Sequence, residues 1–223
     1  MSKPIIVAVD EVKSKSFKEI VDSLDNDLCM IKVGSVSFNA MGHEAINYVA
    51  SKGFKIFLDL KLHDIPNTVK KSIEGLISLP LSMLTIHTSG GLEMMRAAKQ
   101  PLQSSDIKLF GVTALTSLSD EDTNIIFKRS ASRQVQAMLD LAEAAGIDGV
   151  VCSPLELELV TQRKSLESIT PGIRILKSND DQTRVMTPKE AIKKGANHIV
   201  IGRPITNASN ISKALKEIHN SLE

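Results

Sequence analysis

The chain has 223 residues, 42% of them hydrophobic, and a formal net charge of +1. That length suits one large domain or two small ones. The near-neutral balance leaves no electrostatic footprint for nucleic acid or an anionic membrane. Aromatic residues make up 3%, with no Trp, so no stacking surface for bases is expected and the core falls to Ile, Leu, Val, Ala and Met.

The opening "MSKPIIVAVD" carries an apolar run too short for a secretory h-region. No run reaches the roughly 18 apolar residues of a membrane helix. Cys29 and Cys152 stand far apart and form neither a CxxC pair nor a disulfide framework. They read as small buried hydrophobes, and a reducing cytoplasm is the expected compartment.

Short β-branched runs alternate with amphipathic stretches along the whole chain. "IIVAV" at Ile5–Val9 leads to "SFKEIVDSL". "MIKVG" at 30–34 leads to "HEAINYVASKG", and "KIFLDL" at 55–60 to "TVKKSIEGLISL". "MLTIH" at Met83–His87 precedes "GLEMMRAAKQ". "IKLFGVTAL" at 107–115 precedes a polar loop and then "RQVQAMLDLAEAAG". "GVVC" at 149–152 is followed by "PLELELVTQR". "SIT" at 168–170 is followed by a long polar loop and "TPKEAIKKG". "HIVIG" at 198–202 closes the series with "NISKALKEIHNSL".

Strands separated by helices imply parallel pairing and right-handed crossovers. Eight such units predict an α/β fold of the (β/α)8 TIM barrel type, a single domain over residues 1–223. A doubly wound sheet is the alternative, but no GxGxxG fingerprint follows any strand. The long polar loops after strands five and seven fall on the face where such barrels hold ligands.

Side chains alternate faces along a strand. In "IFLDLK" this puts Ile56, Leu58 and Leu60 against the helices and Phe57, Asp59 and Lys61 toward the barrel interior. Charges deep in that interior would cost several kcal/mol each unless paired. At the C-terminal mouth they are available to a ligand. Strand one ends in Asp10, strand two carries Lys32, strand four ends in His87 and strand eight in Gly202–Arg203. One polar strand end is ordinary, whereas five converging on one ring are hard to ascribe to solvation.

Lys32 and Lys61 alternate with Asp10, Asp59 and Asp64. A lysine between carboxylates is held protonated, which makes Lys61 a proton donor or a fixed cation, and a poor Schiff-base nucleophile. Two carboxylates beside it would destabilise a substrate anion, and loss of that anion as CO₂ would relieve the strain. Arg174 and Gly202–Arg203 fall after strands seven and eight, where these barrels often grip phosphate. Arg203 offers a planar fork for phosphate oxygens, and Gln182 is a candidate to fold over from the loop.

"DLKLHDIPNT" at 59–68 resembles the signature D-x-K-x-x-D-[IV]-x-x-T of the orotidine 5′-phosphate decarboxylase family. "AVD", "KVG", "VTALTS", "TPGIR", "DQTRVMTP" and "VIGRPIT" follow in that family's order along nearly the whole chain. The resemblance implies cofactor-free and metal-free decarboxylation of orotidine 5′-phosphate to UMP in de novo pyrimidine synthesis. It implies Lys61 as proton donor to C6 and Asp59 as the carboxylate beside the departing CO₂. Asp64 would reach the site from the neighbouring subunit of a homodimer, with Ile65 and Thr68 as substrate contacts from the same turn. Asp10 and Lys32 would hold the ribose, with Lys32 in the charged chain. Thr116 would face the pyrimidine, and Arg174, Gln182, Gly202 and Arg203 the phosphate.

Two departures stand out. Many relatives carry Glu soon after "KVG", where this chain reads "SVSF", and the loop at 175–181 is slightly short. Three rivals remain. The first is a Mg²⁺-dependent sugar-phosphate decarboxylase or hexulose-phosphate synthase of the same superfamily, which typically has a metal-binding Glu where this chain has Lys32. The second is a Schiff-base aldolase using Lys61. The third is a catalytically inactive barrel kept as a binding protein.

Overall fold

The strand-forming runs all pair in parallel in a computed structural model that describes residues 4–174 and 186–222. In chain order they are β1 (Ile5–Val9), β2 (Cys29–Gly34), β3 (Ile56–Leu62), β4 (Met83–His87), β5 (Lys108–Val112), β6 (Gly149–Val151), β7 (Glu167–Thr170) and β8 (His198–Ile201). Each pairs with the next, and β8 returns to β1, so the sheet closes as an eight-stranded barrel. Closure removes both sheet edges. The seam registers Ile5, Ile6 and Val7 with Ile199, Val200 and Ile201.

The strands read as continuous apolar runs because both faces are covered. Ile6, Met30, Phe57, Met83, Phe110 and Ile169 fill the barrel interior and are almost wholly buried. Around the sheet, Val7, Ile31, Ile56, Leu58, Leu84 and Leu109 pack outward into a second, larger apolar layer beneath the helices. Full burial of side chains this size stabilises the fold by roughly 1.5–3 kcal/mol each before the entropy cost is counted.

The helices are α1 (Ser14–Asp22), α2 (Ser35–Met41), α3 (His43–Ser51), α4 (Pro66–Glu74), α5 (Gly91–Lys99), α6 (Asp120–Phe127), α7 (Ala131–Ala145), α8 (Leu157–Thr161), α9 (Pro188–Lys193), α10 (Arg203–Thr206) and α11 (Ile211–Asn220). Their starts follow local chemistry. Ser119 and Thr187 form capping boxes with Asp122 and Glu190. Pro66 and Pro188 occupy first turns, where a missing N–H costs nothing. No helix among the described residues is long and apolar enough to cross a membrane.

Three local expectations need correction. Helix α2 was not foreseen: "SVSFNAM" forms a short helix joined to α3 through Gly42, whose φ of 57° suits glycine. Strand β5 ends at Val112, short of 115, because the chain leaves the ladder after the Thr113 N–H bonds the Val151 carbonyl. Strand β3 runs on to Leu62, but not as a regular pleat. Leu58 pairs with Leu84 and Leu62 with Ile86, so four steps on β3 span two on β4. Lys61 lies in this bulge with φ of 51°, a conformation that costs a non-glycine residue about 1 kcal/mol or more. The facing still alternates, with Leu60 against the outer layer and Lys61 at the cavity, while the regular ladder register ends at Leu58.

Candidate active site

The charged ring grows from adjacent strands. Lys32 sits one pleat above Met30, and Asp59 one pleat above Phe57, so both rest on the apolar interior layer. Lys32 Nζ is 3.1 Å from Asp10 Oδ1 and 3.6 Å from Asp59 Oδ2. Lys61 Nζ donates to Asp59 Oδ2 at 2.7 Å. The result is an alternating chain Asp10–Lys32–Asp59–Lys61 across the mouth of β1, β2 and β3.

Solvent access falls toward its centre. Asp10 and Lys61 side chains are 47% and 35% exposed, whereas Lys32 and Asp59 are 12% and 9%. Burial alone would push the Asp59 carboxyl up; the charges of Lys32 and Lys61, with hydrogen bonds from Lys61 and Thr85, outweigh it and hold the group below its ordinary range. Asp59 is thus an anion kept charged by its neighbours.

Packing makes room for this chain. A Cβ on Gly34 would lie 2.6 Å from Lys32 Nζ and 2.8 Å from Asp10 Oδ1, so glycine leaves the space that the ion pair occupies. Ser37 of α2, fully buried, holds the turn around Asp10. Its hydroxyl accepts the Glu11 N–H at 2.8 Å and faces the carbonyls of Val9 and Glu11 at 2.8 and 2.9 Å as donor. Thr85 of β4 donates to Asp59 Oδ1 at 2.9 Å and accepts the Lys61 N–H at 2.9 Å.

Ser37 and Thr85 had escaped sequence reasoning. For Thr85 a signal existed: it shares the inward face with Met83 and His87. Ser37 lay in a helix that was not foreseen.

Above the ring opens a cavity of about 350 Å³, within the roughly 300–1,000 Å³ of small-molecule sites. Asp10, Lys32, Asp59 and Lys61 line it on one side. Arg174, Gly202 and Arg203 line it on another, and Thr116 contributes from the loop after β5. Gly172, with φ of 79°, turns the chain between β7 and Arg174. The Arg174 N–H bonds the Met186 carbonyl at 3.0 Å, pinning this edge of the cavity. A Cβ on Gly202 would meet Ala8 at an ordinary 3.6 Å.

Some expected members lie elsewhere. Asp64 is exposed and turned back on its own chain, its Oδ1 accepting the Ile65 N–H at 2.7 Å. Ile65, 67% exposed, and Thr68 follow at the start of α4, and none of the three lines the cavity of its own chain. His87 stands beside the ring rather than in the cavity, with the His63 ring 5.3 Å away. Burial, then the charges of His63 and Lys61, push its pKa below that of an ordinary imidazole against a weaker pull from Asp59. Gln182 lies outside the described residues. Cys152 lines the cavity floor but is buried, and desolvation with the Glu156 charge pushes its thiol up to about 12 despite Thr170. That suits the inert role expected of it.

Comparison with known proteins agrees with this geometry. The model of the Orotidine 5′-phosphate decarboxylase / HUMPS family matches residues 3–218. The chain is 43% identical over 222 residues to orotidine 5′-phosphate decarboxylase of Saccharophagus degradans, covering 96% of this chain and 92% of that one. It is 44% identical to the Wolbachia pipientis enzyme of the same name, covering 98% of each. The crystal structure of orotidine 5′-phosphate decarboxylase from Lactobacillus acidophilus superposes with a TM-score of 0.87 at 35% identity, over 99% of both chains. A closed parallel barrel, a signature at the end of its third strand and full-length likeness converge: the chain belongs to the orotidine 5′-phosphate decarboxylase / HUMPS family.

Proposed function

We propose that this chain converts orotidine 5′-phosphate to UMP, the closing step of de novo pyrimidine nucleotide synthesis, without a metal or organic cofactor. The observation that carries this reading is the unbroken alternation Asp10–Lys32–Asp59–Lys61 on one wall of the cavity. A substrate carboxylate brought beside Asp59 meets a like charge that its own neighbours keep ionised. The C6–carboxylate bond breaks, CO₂ leaves, and the electron pair remains on C6. Lys61 Nζ gives C6 a proton and is recharged from water. Ground-state repulsion and stabilisation of the developing carbanion by the lysines both act in this direction.

The remaining groups orient the nucleotide. Asp10 and Lys32 take the ribose hydroxyls, Thr116 the pyrimidine, and Arg174, Gly202 and Arg203 the phosphate, joined by Gln182. Binding energy gathered at the phosphate, far from C6, holds the base in position for proton transfer. Asp64, Ile65 and Thr68 are exposed and do not line their own cavity, and we assign them to the neighbouring one in a homodimer. The cytoplasm, where nucleotide precursors are made, is the proposed compartment.

The HUMPS half of the family name is the nearest rival. Lys32 weighs against it, because its ammonium already sits between the Asp10 and Asp59 carboxylates that a divalent cation would need. Among the described residues, no group of three or more His, Cys, Asp or Glu side chains could hold a metal.

The test is loss of orotidine 5′-phosphate ultraviolet absorbance with purified protein in EDTA. Wild type should turn over and Lys61→Ala should fall by at least about 10²-fold with its fold intact. Turnover that depends on added Mg²⁺, or an active Lys61→Ala variant, would overturn the proposal. Mixing inactive Lys61→Ala and Asp64→Ala chains should restore up to about a quarter of wild-type activity if sites are shared across a two-fold dimer. No recovery would place Asp64 outside the partner's site.

A further inference from the structure

Lys61 and Lys128 are the only non-glycine residues with positive φ among those described. Lys128 caps the end of α6, where this conformation is common. Lys61 has no such excuse: it lies within β3, in the bulge that breaks the ladder to β4. A bulge leaves a backbone donor without its ladder partner. Here the Lys61 N–H turns to Thr85 Oγ1 at 2.9 Å.

The same oxygen donates its proton to Asp59 Oδ1 at 2.9 Å. Proton bookkeeping leaves no ambiguity. A hydroxyl has one hydrogen, and both the carboxylate and the amide have fixed roles as acceptor and donor. Thr85 is fully buried, so water cannot readily replace it. One atom therefore ties the backbone of Lys61 to the carboxylate of Asp59. With Oδ1 so anchored, Oδ2 is left facing Lys61 Nζ at 2.7 Å and Lys32 Nζ at 3.6 Å.

We propose that Thr85 is a positioning residue whose hydroxyl holds the β3 bulge open and sets the Asp59–Lys61 geometry on which turnover depends. It touches no substrate itself. Its loss should misplace the proton donor while leaving the phosphate and ribose grips intact. The inference rests on the proposed decarboxylation.

The experiment compares Thr85→Val, nearly isosteric but without the hydroxyl, with Thr85→Ser, which keeps it. With orotidine 5′-phosphate, Thr85→Val should lower kcat by about 30- to 100-fold, since misplacement of this order costs up to about 10²-fold. KM should move less than about threefold, and Thr85→Ser should stay within about threefold of wild type in both constants. A purely structural role would lower the amount of folded enzyme and its melting temperature without this split. If Thr85→Val does not fold, Thr85→Cys, with a weak S–H donor, replaces it and should fall at least about tenfold below Thr85→Ser in kcat. Wild-type kcat in Thr85→Val, or equal losses in the Val and Ser variants, would overturn the proposal. Absence of UMP formation by wild type would instead sink the decarboxylase reading.

Discussion

Replacing Asp59 by Asn keeps the shape of the side chain and removes its charge. At an effective dielectric of about 20, the 2.7 Å contact with Lys61 is worth about 6 kcal/mol and the 3.6 Å contact with Lys32 about 5. These are gross attractions. Desolvation takes back several kcal/mol for each buried ion. Water also screens Lys61, whose side chain is 35% exposed. What survives is the cost of leaving Lys32, only 12% exposed, with half its counter-charge. The expected loss of folding stability is about 2–4 kcal/mol at pH 7.

Its pH dependence has a definite sign. The folded carboxyl titrates below its ordinary value, and an unfolded Asp titrates near 3.9, at about pH 4. The unfolded state therefore binds the proton first on acidification. Wild type keeps the full advantage well above pH 4 and loses it as pH falls through the folded value. Urea unfolding of wild type and Asp59→Asn, in steps from pH 7 to about pH 3, should show a gap that narrows on acidification. Equal stability at pH 7, or a gap that widens in acid, would refute the argument that Lys32 and Lys61 outweigh burial. Turnover should fall by at least about 10²-fold in the same variant.

Gly34→Ala is an almost purely steric probe, since the backbone there is extended at φ of −92° and tolerates any residue. The added Cβ should push Lys32 Nζ off Asp10, lowering kcat/KM by about tenfold while stability changes by less than about 1 kcal/mol; unchanged kcat/KM would mean that the ion pair is dispensable. His87→Gln tests the depressed imidazole. An unfolded His protonates near pH 6.5 and the folded His87 lower, so wild type should lose stability as pH drops below about 6.5. The Gln variant should show a shallower loss in urea midpoints between about pH 7.5 and pH 5.5. Matching slopes would place His87 outside that transition.

Much of this architecture was legible in advance because a parallel barrel writes itself as repeated apolar runs. Ile56 and Leu58 do pack outward and Phe57 inward, as period two requires. Leu60 and Lys61 also take the expected faces, but the backbone path there is not a regular pleat. Lys61 reaches Asp59, but through a bulge that no alternation rule encodes. Hydroxyls were the other blind spot. Thr85 and Ser37 look like ordinary residues of a strand and a loop, and their partners lie 24 to 28 positions away. Asp64 was legible as a charge near the ring, but its place across a subunit boundary, like the role of Thr68, came only from the motif. Their exposure in one chain is intelligible once a second chain is supposed to use them.

The seam of the barrel has a consequence for assembly. Asp10 follows β1 and Lys32 stands on β2, whereas Gly202 and Arg203 follow β8, and the direct pairing between those ends is β1 with β8. Under the proposed assignment, a nucleotide held by both groups bridges the β1–β8 joint that closes the barrel. A chain lacking β8 also lacks Gly202 and Arg203, and so could not offer the complete proposed grip. Ligand should also suppress the breathing of the terminal strands more than that of β4 or β5, because binding free energy adds directly to the closed state.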